Sequence, residues 1–180
     1  MTRGVVLGIL CGAAAWLAPS QARAFEREWH VGGGVGITAY PNYYGAGPSL
    51  GLNAAYGISD VFDLKLELLG SSHSYSSGSS PSEHGQAYSA VAGLSYKLDI
   101  LQWIPYGAAL VGFQHIAGPL PISEPFRRDD AIVAVVLGLD YAATRNFGLG
   151  VSLRTNFLLS TLDEGEAFTT MLRAEYHWGF

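Results

Sequence analysis

The chain ends on a segment that alternates without a break. Over Ala167 to Phe180 (AFTTMLRAEYHWGF), Phe168, Thr170, Leu172, Ala174, Tyr176, Trp178 and Phe180 fall on one face of an extended strand, and Thr169, Met171, Arg173, Glu175, His177 and Gly179 fall on the other. One face is apolar and ends in aromatics, while the other carries charge. A strand of that length and pattern suits the wall of a barrel that spans a bilayer.

The amino-terminal end has a different character. Met1 to Ala24 combines a basic residue, Arg3, an apolar run from Gly4 to Ala18 and a small-x-small site at Ala22-Arg23-Ala24, the layout of a cleaved secretory signal peptide. The run ends at Pro19 and is shorter than the ~20 apolar residues that a spanning helix needs. The expected organisation is a signal peptide at 1–24 and one domain at 25–180. Cys11, the single cysteine, leaves with the signal, and Leu10 before it departs from the small residue of a lipoprotein signal. The mature chain is then without disulfide or thiolate chemistry.

Loss of Arg3 and Arg23 leaves 8 basic against 15 acidic residues, a net charge of −7. That balance argues against nucleic acid as a partner. Hydrophobic residues make up 49% of the chain, yet no stretch after the signal is long enough for a membrane helix, so a spanning chain of this kind has to cross as strands.

Eight alternating segments follow one another. They are 28–40, 48–58, 62–70, 86–98, 104–115, 130–141, a seventh from 147 to about 157, and the final strand. The third is the clearest, with Phe62, Leu64, Leu66 and Leu68 opposite Asp63, Lys65, Glu67 and Leu69. Both faces of the fifth are small or apolar, which leaves its register open. Short turns near Ser59-Asp60, at 99–103 and at Thr144-Arg145-Asn146 alternate with longer connections at 41–47, 71–84, 116–128 and 159–166. The Ser/Gly-rich 71–84 reads as a flexible loop, and Pro119, Pro121 and Pro125 exclude a central strand across 116–128. The predicted fold is all-β, an eight-stranded antiparallel up-and-down transmembrane barrel.

A soluble barrel of lipocalin type is the structural rival, because alternation does not say which face is inside. It would turn its charges to water and fill its lumen with large apolar groups. Here the polar face is rich in glycine (Gly36, Gly51, Gly93, Gly148, Gly150), which suits a crowded narrow lumen. Trp29, Tyr56, Phe62, Tyr96, Tyr141, Phe147, Tyr176 and Trp178 fall on the apolar face near the short turns, with Phe157 and Phe168 at the opposite ends, the pattern of two interfacial girdles.

The whole of 25–180 resembles the small eight-stranded bacterial outer-membrane barrels, the transmembrane domain of outer-membrane protein A and the OmpX and OmpW types. The closing strand resembles theirs too, and implies that Tyr176, Trp178 and Phe180 are read by the barrel-assembly machinery. The resemblance implies a Gram-negative outer membrane, contact with its lipid and lipopolysaccharide, and roles in anchoring, adhesion or small-solute leakage. No peptidoglycan-binding domain is expected after Phe180. The pattern selects neither a subfamily nor an oligomeric state.

On this reading the lumen holds Asp63, Lys65, Glu67, Lys97, Asp140, Arg154, Arg173 and Glu175, with His30 and His177 near the terminal end. Four acids and four bases leave the interior neutral if they pair, and charges in a narrow barrel are tolerated only when paired or hydrated. A salt-bridge network centred on Lys65, Glu67, Arg154 and Arg173 then closes the lumen; the alternative is a narrow gated pore.

Lipid modification is the enzymatic rival, and it needs a nucleophile beside a histidine and an acid. The His-x-Ser-Asn motif of the outer-membrane lipid A deacylases does not occur, and His73-Ser74 and His115 are the nearest candidates; His73 and His84 lie in the Ser-rich loop and read as solvated. Glu124, Asp129 and Asp130 flank Arg127-Arg128, and Asp163, Glu164 and Glu166 cluster on the last loop. They read as a solvated rim that could bridge to lipopolysaccharide phosphates, without the spacing of a calcium loop. The expectation is a non-enzymatic integral outer-membrane protein with a structural or surface-interaction role, no catalytic residue, no cofactor and no metal.

Overall fold

A computed structural model describes residues 27–41, 44–75, 83–100, 102–119, 125–160 and 166–179. Residues 1–24, where a signal peptide is expected, and Pro121, Glu124, Asp163, Glu164 and Phe180 lie outside the described residues.

Every regular element is a strand: β1 (Trp29–Tyr40), β2 (Tyr44–Gly57), β3 (Phe62–Tyr75), β4 (Glu83–Lys97), β5 (Trp103–Pro119), β6 (Pro125–Ala142), β7 (Phe147–Leu158) and β8 (Glu166–Trp178). Each pairs antiparallel with its neighbours in sequence, and β1 pairs with β8 from Trp29↔Trp178 to Ala39↔Phe168, closing the barrel in the order β1 to β8. Closure satisfies every strand edge, as a wall standing in hydrocarbon requires. The start of β1, the end of β8 and the tight turns after β2, β4 and β6 share one end, here the terminal rim; the opposite ends of the strands form the far rim.

The strands run further toward the far rim than the loop composition suggests. The β3–β4 ladder continues through the serines to Tyr75↔Glu83, and the β5–β6 ladder reaches Pro119↔Pro125. The two prolines sit at the last residue of one strand and the first of the next, where a missing N–H costs no central rung. Likewise β2 begins at Tyr44, so the expected connection at 41–47 shrinks to 41–43. Ladder pairing with a neighbour overrode local turn chemistry in each case.

The outer wall is apolar. Phe113 is 73% exposed and Leu172 64%, with Val35, Leu50, Val111 and Leu137 comparably bare. Asp63, Lys65, Lys97, Asp140, Arg154, Arg173 and Glu175 point inward, the reverse of a soluble barrel. The fifth strand, unassigned from sequence, turns Ile104, Tyr106, Ala108, Leu110, Gln114 and Ile116 into the lumen and Trp103, Val111 and Phe113 outward. One side of the lumen is therefore an apolar wall, in which Leu110, Val91, Ile132, Ala134, Val136 and Leu158 pack together.

Candidate functional site

The charged residues occupy the rest of the lumen. Side chains at i and i+2 share a strand face, so Asp63, Lys65 and Glu67 form one inward row on β3 and Arg173, Glu175 and His177 another on β8. Lys97, Asp140 and Arg154 face them from β4, β6 and β7, all buried or nearly so.

These residues fall into three groups. In the first, Glu67 is shared: Lys65 Nζ lies 3.0 Å from one carboxylate oxygen and Arg154 Nη1 3.3 Å from the other. Arg154 also donates to Asn156 Oδ1 (2.7 Å) and Ser89 Oγ (3.1 Å), and Asn156 passes the chain on to Gln114 (2.9 Å). In the second, Lys97 pairs with Asp63 at 2.5 Å, and the Ser95 hydroxyl donates to the same carboxylate. In the third, Arg173 pairs with Glu175, which also accepts from Asn53 Nδ2 at 2.6 Å. Arg173 thus leaves the expected centre, because Glu175 shares its own strand face and Glu67 is already taken by two bases.

Tyr106, a residue hidden from the sequence reading by the open register of β5, joins the groups. Its ring centroid lies 4.5 Å from Lys65 Nζ and 4.9 Å from the Arg173 guanidinium. Asp140 sits among Lys65, Lys97, Arg173 and Glu175 around that ring. Beside Arg154, Glu67 and Arg173, against Gly34 and Gly51, there is an internal cavity of about 20 Å³, room for a single water.

His73 corrects the expectation of a solvated loop residue. It lies on β3, 1% exposed, with Nδ1 3.0 Å from the Gly45 carbonyl and Nε2 2.9 Å from Ser71 Oγ. The carbonyl only accepts, so in the neutral ring Nδ1 holds the proton and Nε2 accepts from the hydroxyl. Tyr40 meets the ring edge-on. Ser74, the next residue, points outward to His84 (3.3 Å), so His73 and Ser74 stand on opposite faces of the wall. His84 and Ser74 are exposed residues of the β3–β4 ladder rather than of a loop. Outside the barrel, His115 Nδ1 lies 2.6 Å from Asp129 Oδ1. Asp130 turns inward, where the Ser160 hydroxyl bonds to it, so the two adjacent acids face opposite sides. Asp129 and Asp130 do not form one oxygen cage.

Aromatics pair around the terminal rim. Ring centroids are 4.8 Å apart for Trp29 and Tyr56, 5.2 Å for Phe62 and Tyr96, 5.0 Å for Trp103 and Tyr141, and 6.0 Å for Tyr176 and Trp178. Phe147 is the cross-strand partner of Tyr176. Trp103 was missed from sequence because it reads as the last residue of the 99–103 turn, whereas β5 begins on it. Phe168 faces outward toward the other rim, opposite Ala39 and Thr155, and Phe157 pairs with Glu166. At the same terminal rim, inside the barrel, His30 on β1 is the cross-strand partner of His177 on β8.

Comparison with known proteins agrees with this architecture. The barrel superposes on Ail, the attachment invasion locus protein of Yersinia pestis, with a TM-score of 0.62 and 17% identity over 85% of this chain and 99% of that one. It is similar to the outer membrane protein OprG of Pseudomonas aeruginosa (TM-score 0.69, 12% identity, 89% of this chain and 100% of that one). It is also similar to the N-terminal β-barrel domain of Pseudomonas aeruginosa OprF (TM-score 0.60, 20% identity, 85% and 98%). Ail has also been solved in complex with the heparin analogue sucrose octasulfate. No curated protein matches in sequence. Residues 7–178 match the family described as outer membrane protein beta-barrel domain, which covers nearly the whole chain, and the protein belongs to that family of outer-membrane barrels.

Proposed function

We propose that this outer-membrane barrel has a structural or surface-interaction role, with a lumen closed to solutes. The observation that carries the reading is the bridge from β7 to β3 across the lumen, where Arg154 and Lys65 share Glu67 while Tyr106 fills the space between Lys65 and Arg173. The cavity beside that bridge holds about 20 Å³. Buried charges that satisfy one another in this way hold position, since freeing one leaves another unpaired in a dry interior.

The remaining parts fit that role. Residues 1–24 direct export and are cleaved, and Tyr176, Trp178 and Phe180 are the signal read during barrel assembly. The aromatic pairs at the terminal rim, which short turns make the periplasmic one, sit at the membrane interface. The far rim meets lipopolysaccharide. Its sequence sets Glu124, Asp129, Asp163, Glu164 and Glu166 against Arg127 and Arg128. That balance suits divalent-ion bridges to phosphate better than direct capture of a polyanion of the kind seen bound to Ail. The role is a non-enzymatic one, in which His84 bonds to a serine and His115 to a carboxylate on separate parts of the wall.

Single-channel recording in planar bilayers tests the closed lumen. The expected trace is flat, without steady unitary steps. Reproducible steps that change when Glu67 and Arg154 are neutralised would instead establish the narrow gated pore.

A further inference from the structure

Strands β1 and β8 close the barrel, and their ladder sets His30 opposite His177 at the terminal rim with ring centroids 4.3 Å apart. Both imidazoles turn into the lumen and are buried. Glu28 precedes His30 by two residues and shares its face, and its buried carboxylate brings Oε2 to 3.6 Å from His30 Nε2. The segment that carries Glu28 is pinned. Arg27 adopts a left-handed φ of 64°, its N–H bonds to the Gly57 carbonyl at 2.8 Å, and the Glu28 carbonyl accepts from Gly57 at 2.9 Å.

One ligand atom from each of Glu28, His30 and His177 lies within 4.8 Å of the others. Bonds of about 2.0–2.1 Å around a tetrahedral ion set neighbouring ligand atoms about 3.3 Å apart, so the 3.6 Å between Glu28 and His30 is already close to one edge of such a site. Small side-chain rotations bring in the rest. His177 Nε2 lies 3.6 Å from Glu175 Oε2, and its Nδ1 has no hydrogen-bond partner among the described residues. A carboxylate behind one ring nitrogen orients the other toward a metal. That carboxylate is itself held by Arg173 and Asn53.

We infer that Glu28, His30 and His177 form a binding site for a divalent transition-metal ion of the zinc, nickel or copper class, at the terminal mouth of the lumen. Two imidazoles and one carboxylate are the donors those ions take. Calcium and magnesium, which prefer oxygen throughout, are a poor match. One histidine comes from the first strand and one from the last, so the ion ties the closing seam and stabilises the folded barrel by mass action.

The test titrates the folded, untagged barrel in detergent micelles with zinc, nickel or copper(II) alone. The expected result is saturable one-to-one binding, abolished in His30→Asn and in His177→Asn, weakened at least about 10-fold in Glu175→Gln, and unchanged in His84→Asn and His115→Asn. Zinc raises the temperature at which the unheated gel form converts to the unfolded form in the wild type, and not in the two ligand variants. Absence of saturable binding, or binding that survives loss of both histidines, overturns the site. If the ligand variants do not fold, the copper(II) electron paramagnetic resonance spectrum of the wild type decides. Coupling to two imidazole nitrogens supports the site, and coupling to one or none overturns it.

Discussion

The Tyr106 ring fills the space over Gly138, its direct cross-strand partner on β6. A Cβ added at position 138 would lie 2.5 Å from Tyr106 Oη, closer than side chains pack. The absent side chain is what lets the ring lie over the wall while its face meets the cations of Lys65 and Arg173. The apolar wall and the charged wall of the lumen meet at this aromatic.

Gly138→Ala therefore overpacks the site and displaces the ring, with an expected loss of about 1–3 kcal/mol. Tyr106→Ala removes the ring altogether and costs about 3–5 kcal/mol. Urea unfolding of the barrel in bilayers, followed by tryptophan fluorescence and by gel mobility, measures both. A Gly138→Ala barrel as stable as the wild type would mean that Tyr106 has room to move.

Arg154→Met leaves Glu67 with Lys65 alone and strips Ser89 and Asn156 of a donor. Breaking a buried pair from one side costs about 3–5 kcal/mol. The double variant Glu67→Gln/Arg154→Met is expected to lose less than the sum of the two single variants, with a coupling of about 0.5–3 kcal/mol in a double-mutant cycle. Additive losses would show that the two side chains do not depend on each other.

The outer wall has a depth profile. Leu137 and Leu172 lie mid-wall and bare, and replacing either by Arg is expected to cost about 2–4 kcal/mol. Ile58, at a turn of the terminal rim, tolerates Arg at about 0–1 kcal/mol. Equal costs at the three positions would contradict the placement of the bilayer.

Purified barrel mixed with lipopolysaccharide is expected to release no fatty acid, read by mass spectrometry of the extracted lipid. Release that disappears in His115→Ala would make the His115–Asp129 pair a catalytic one and end the non-enzymatic reading.

Protein recovered from the outer membrane is expected to lack residues 1–24, with an intact mass that begins at Phe25. A mass that retains Cys11 would show that the segment stays attached.

Eight strands, their faces and the aromatic rim were legible because alternation is a local signal with a period of two residues, as in Phe62 to Leu68 or Phe168 to Phe180. The same rule separated Asp63, Lys65 and Glu67 from the lipid face without any knowledge of their neighbours. It failed on β5, where Ala108 and Ala109 or Leu110 and Val111 are alike in polarity, and with β5 went Tyr106; Trp103 reads as part of the preceding turn. It failed again at His73, whose serine-rich surroundings read as loop although its ladder with β4 continues past it.

Alternation along the chain determined the class of fold, the number of strands and the residues offered to the lumen. Only the closed tertiary structure decided who meets whom inside it. Arg154 and Glu67 are 87 residues apart, Asn53 and Glu175 are 122, and His30 meets His177 solely because the first strand pairs with the last. Those meetings depend on the register of each ladder and on the reach of each side chain across the lumen, quantities set by barrel closure and carried by no local pattern.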